Sequence, residues 1–97
     1  MPVPRAAGNG ARVKPAEIRE RLAKENPEAL LADGLDDALI GIGRRASRHL
    51  LAVYDYETAV NVFVTRDGMS REEAIEHMEF DVVGAWVGEN TPVFLQS

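Results

Sequence analysis

Two short apolar runs set the tightest limit on how this chain can fold. Ala38-Leu39-Ile40-Gly41-Ile42-Gly43 and His49-Leu50-Leu51-Ala52-Val53-Tyr54 are bounded by polar clusters, and only Arg44-Arg45-Ala46-Ser47-Arg48 separates them. Runs of this length and composition read as strands, and so short a connection makes the pair a β-hairpin with a cationic tip. The flanking segments carry helix signals instead. Lys14-Pro15-Ala16-Glu17 opens a short helix, with proline in the first turn, an early acid, and Ile18 and Leu22 one turn apart. Asn26-Pro27-Glu28 repeats the start signal and predicts one or two further helical turns through Leu30-Leu31, stopped by Asp33-Gly34.

Downstream of the hairpin, residues 57–66 satisfy two periods at once. Val60, Val62 and Val64 alternate as in a strand, while Ala59, Val60, Phe63 and Val64 form a helical stripe. Asp55 as a cap and Asp67-Gly68 as a stop favour the helix. Ser70-Arg71-Glu72-Glu73 is a capping box with Met69 and Ala74 at the staple positions. The helix it opens shows an apolar face of Ala74, Ile75, Met78, Val82, Ala85 and Trp86, running to about Gly88, and Gly84 and Gly88 leave room for a close backbone. Pro92-Val93-Phe94-Leu95 reads as a short edge strand. The expected fold is therefore a small single α+β domain: N-terminal helices, a β-hairpin, two helices and a short C-terminal strand packed together.

A chain of 97 residues, 45% hydrophobic and 28% charged, has the composition of one globular core. Residues 1–13 contain little that can be buried and read as a flexible arm, leaving 14–97 as the domain. The absence of cysteine suits a reducing compartment, so cytoplasm is expected. No apolar run approaches the ~20 residues of a membrane span, and residues 1–13 lack the apolar stretch of a secretory signal. A net charge of -5 argues against a nucleic-acid partner. The charge is uneven, at +3 over residues 1–27 and -8 over residues 28–97.

Several residue groups call for a chemical reading. Gly41-Ile42-Gly43-Arg44-Arg45-Ala46 fits a dinucleotide-binding glycine pattern to the letter, but a crossover helix must follow it and only Ser47 and Arg48 precede the next apolar run. Arg44, Arg45 and Arg48 concentrate guanidinium groups able to hold carboxylates or phosphates on an acidic body, against the plainer reading of a solvated hairpin tip. Glu73, His77 and Asp81 lie at i, i+4, i+8, yet the outer two stand about 11 Å apart along a helix, too far for one ion; His77 stays a pH-sensitive contact candidate. Asp33, Asp36, Asp37, Asp55 and Glu57 read as caps and turns, and Ser47 and Ser70 lack a nucleophile-elbow context. Most large rings belong in the core, with Tyr56 and Trp86 as interface anchors if they are exposed. No metal, cofactor or catalytic residue is expected.

The segments Asp33-Gly34-Leu35-Asp36-Asp37-Ala38-Leu39-Ile40-Gly41, Val53-Tyr54-Asp55-Tyr56-Glu57, Asp67-Gly68-Met69-Ser70-Arg71-Glu72-Glu73-Ala74 and Glu79-Phe80-Asp81-Val82-Val83-Gly84-Ala85-Trp86-Val87-Gly88-Glu89-Asn90-Thr91-Pro92 carry a resemblance. Over about two-thirds of its length the chain resembles a family of small proteins encoded by phages and prophages, to which no activity is attached. The resemblance implies a helix after Tyr56, and residues before 27 fall outside it. Together these features lead to the expectation of a non-enzymatic phage-type accessory protein that binds another protein, a host or defence factor, through Arg44, Arg45, Arg48, Tyr56, His77 and Trp86. The alternative is a structural virion or assembly component, and a homo-oligomer is compatible with either.

Overall fold

The computed structural model of the chain describes residues 14–45, 49–84 and 88–96, without the side chains of Arg45 and His49. The expected arm, the hairpin tip and Trp86 lie outside the described residues. The apolar runs form the expected hairpin, strands β1 (Leu39–Arg45) and β2 (His49–Asp55). They pair antiparallel, from Arg45 opposite His49 to Gly41 opposite Val53, and a bulge between Leu39 and Gly41 re-pairs Leu39 with Tyr54. A third strand, β3 (Val93–Leu95), lies parallel to β2 on its other side, so β2 is central in the described sheet. A parallel neighbour needs a long crossover. Helices α2 (Tyr56–Asp67) and α3 (Arg71–His77) lie within it. The architecture is a single α+β domain.

Helix α1 (Pro15–Glu25) begins where the proline signal places it, with Glu17 accepting the Lys14 backbone N–H at 3.2 Å. It buries two residues, Ile18 and Leu22, which join Leu39, Ala52 and Tyr54 of the sheet in one apolar cluster. An Arg19–Asp36 ion pair of 2.8 Å ties α1 to a short 3-10 turn, Asp36–Ala38, just before β1. The helical turns expected after Asn26 do not form, which corrects the sequence reading. Asn26 instead makes a local turn, its side-chain oxygen accepting the Glu28 N–H. Its amide donates to the Leu50 carbonyl and to Asn90, each at 2.9 Å. The N–H groups a helix would have used are taken by distant partners: Leu30 donates to the Asn90 carbonyl and Ala32 to the Tyr54 hydroxyl. These tertiary bonds outcompete a weak local signal.

The ambiguous segment is the helix α2. The Asp55 carboxylate accepts the Thr58 N–H at 2.9 Å, Gly68 ends the helix at φ 72°, and Tyr56, Ala59, Val60 and Phe63 are its buried stripe. The Ser70/Glu73 capping box is present in both directions, at 2.9 and 3.1 Å. A continuous helix to Gly88 is not found. After seven residues α3 widens into a π-helical turn, Met78–Val83, that closes at Gly84. A β-carbon on Gly84 would stand 2.8 Å from the Glu79 carbonyl oxygen, so the missing side chain is what lets this wider turn close. The turn keeps Met78 in the core and leaves Phe80 75% exposed. Among the described residues, no helix is long and apolar enough to cross a membrane.

Candidate functional site

Holding residues 30–35 out of a helix, with Leu30 bonded to Asn90 and Ala32 to Tyr54, creates a groove. Leu30 and Leu31 form one side, 39% and 37% exposed. Phe63 of α2, Val82 of the π-helical turn, and Pro92 and Phe94 at β3 supply the rest of an apolar hollow of about 360 Å³. Phe94 is held by stacking on Tyr54, with centroids 5.4 Å apart.

Two carboxylates, Asp33 and Asp81, border this groove, with the His77 imidazole beside them. His77 Nδ1 lies 3.0 Å from Asp81, and its ring stands edge-on to Phe63 at 4.6 Å. A second hollow shares His77 and Asp81 and adds Met69, Phe80, Glu73 and Glu76. Arg66, 5.7 Å over the Phe63 ring, brings no free positive charge, because Asp67 grips its guanidinium at 2.9 and 3.0 Å. That same pairing holds the Asp67 carboxyl below its ordinary range. Arg66 also donates to the Gly34 carbonyl at 2.6 Å, bracing the groove wall. The result is an apolar channel with an acidic border.

The sequence-predicted site residues separate in space. His77 belongs to this groove. Arg44 lies exposed on a different one, beside α1. Arg45 ends β1, but its side chain, like Arg48 and Trp86, lies outside the described residues. Tyr56 does not meet the condition of exposure set for an interface anchor: it is 8% exposed, and its hydroxyl donates to Glu79 at 2.6 Å. That bond, followed by burial, pushes the Tyr56 hydroxyl up to about 12. Leu30, Leu31 and Phe94 escaped sequence reasoning, the first two because they read as helix and the third because it read as core. The polar side chains are largely committed elsewhere: Ser70 and Glu73 to a cap, Asp55 to Thr58, Glu79 to Tyr56. Among the described residues no three His, Asp or Glu side chains gather as metal ligands. Compared with known proteins, the chain matches no family model, no curated protein and no solved structure.

Proposed function

We propose that this is a non-enzymatic, phage-type accessory protein that binds a host or defence protein. The observation that carries the reading is the groove. Leu30 and Leu31 remain more than a third exposed beside Phe63, Val82 and Phe94, an arrangement that leaves transferable apolar area in water. The acidic border favours a partner segment that presents apolar side chains flanked by Lys or Arg, which would face Asp33 and Asp81. The local employment of the carboxylates and of Ser70 supports a binding role over a catalytic one.

The test is a comparison of the intact protein with its Leu31→Asp variant on host lysate. A host protein retained in stoichiometric amount by the wild type and lost by Leu31→Asp, at unchanged thermal midpoint, supports the reading. Retention of the same protein by both forms would remove the groove from it. Association only with virions would favour the structural alternative.

A further inference from the structure

The outer edge of β1 borders a second groove, of about 620 Å³, between that strand and α1. It shares no lining residue with the apolar groove. Its apolar lining is Ile18, Ile40, Ile42 and Leu50, with Ile40 37% exposed. Two exposed guanidinium groups, Arg21 and Arg44, face one carboxylate, Glu17, which is partly spent on the Lys14 N–H. Among the described residues neither arginine has a hydrogen-bond or ion-pair partner. Unpaired cations on a chain of net charge -5 stand out against its acidic body.

The strand beside them is built to accept a neighbour. It is an edge strand in the described sheet, so its outward N–H and C=O groups have no ladder partner there. Its bulge is confined to the Leu39/Gly41 end, and from Gly41 to Arg44 the pairing with β2 is regular. Gly41 has nothing within 4 Å of where a β-carbon would sit, leaving that part of the strand open to close approach. An added strand alternates its side chains: one set enters the groove over Ile18 and Ile42, the other passes over Gly41, while Val53 covers Gly43.

We propose that β1 accepts an extended, acidic segment of a partner protein as a fourth strand, its backbone paired to the β1 edge and its carboxylates held by Arg21 and Arg44. This surface is independent of the apolar groove and does not depend on what that groove binds.

The probe is a capped octapeptide of alternating Val and Glu, titrated into the full chain labelled for amide NMR, beside its Val/Lys counterpart and a version N-methylated at alternate residues. Expected are saturable shifts at Gly41–Arg44 with slowed exchange of β1 amides, and no binding by the Val/Lys or N-methylated peptides. Arg21→Glu with Arg44→Glu weakens binding about tenfold or more, since two attractions become repulsions. Both positions are exposed, and an otherwise unchanged amide spectrum reports that the variant is folded. Equal binding of the Val/Lys peptide overturns the charge assignment, and equal binding of the N-methylated peptide overturns strand addition. Failure of the Val/Glu peptide to bind at millimolar concentration, or a dimer in sedimentation that buries this edge against a second copy, overturns the proposal altogether.

Discussion

The Tyr56 hydroxyl and the Glu79 carboxylate, 23 residues apart in sequence, join the first turn of α2 to the π-helical turn after α3. Because Tyr56 stays neutral to about 12 in the fold but ionises near 10 when unfolded, its contribution to stability is full below pH 10 and declines as pH rises from 10 through about 12. Burial raises Tyr54, the other tyrosine, as well. An alkaline absorbance titration of the wild type therefore shows no tyrosine ionising at its ordinary value, and Glu79→Ala returns Tyr56 towards it. An unmoved transition in that variant would show that burial, not the hydrogen bond, governs Tyr56. The sequence marked Tyr56 as an amphipathic ring but not its partner, because nothing local pairs positions that far apart. His77 was legible for the opposite reason, since its Asp81 partner lies one helical turn away.

The same contrast between local and distant partners runs through the elements. Asp55, Ser70 and Gly68 delimit α2 and α3 as their types require, since each acts on backbone within five residues. Asn26 also carries a start signal, a weaker one, and Leu50 and Asn90 draw its side-chain amide into tertiary bonds. The non-helical segment that results is also the wall of the apolar groove, so the missed helix and the missed Leu30 and Leu31 have one cause. Gly84 invites a test at this scale. Its φ of -73° suits any residue, so Gly84→Ala acts on the fold through its clash with the Glu79 and Phe80 carbonyls, at 2.8 and 3.2 Å. An expected loss of about 1–3 kcal/mol in urea unfolding should come with faster amide exchange across Met78–Val83. Gly68→Ala meets no atom within 4 Å but holds φ 72°, and it should cost about 1–2 kcal/mol without that local signature. Matching exchange profiles for the two variants would refute the steric role of Gly84.

For the molecule as a whole, the hairpin was legible while the placement of β3 beside β2 was not, since its pairing depends on how the intervening helices return the chain. That placement closes both the sheet and the apolar groove. Ending the chain after Asn90 removes β3 and the Phe94 ring that stacks on Tyr54, itself 0% exposed. The truncated protein is expected to lose its cooperative urea transition, while a chain ending after Leu95 keeps it. A cooperative transition of undiminished midpoint in the shorter chain would show that β3 is dispensable. The two grooves also differ in sign, one bordered by Asp33 and Asp81 and the other by Arg21 and Arg44.

The amide clasp between Asn26 and Asn90 spans 64 residues, and this bears on the order of events as the chain leaves a ribosome. The hairpin can form once residue 55 has emerged, since β1 and β2 are near neighbours in sequence. Ala32 and Gly34 gain their partners Tyr54 and Arg66 earlier, but the Leu30 end of the wall is not held until Asn90 appears. The nascent chain thus lacks the complete apolar groove until Asn90, Pro92 and Phe94 have all emerged.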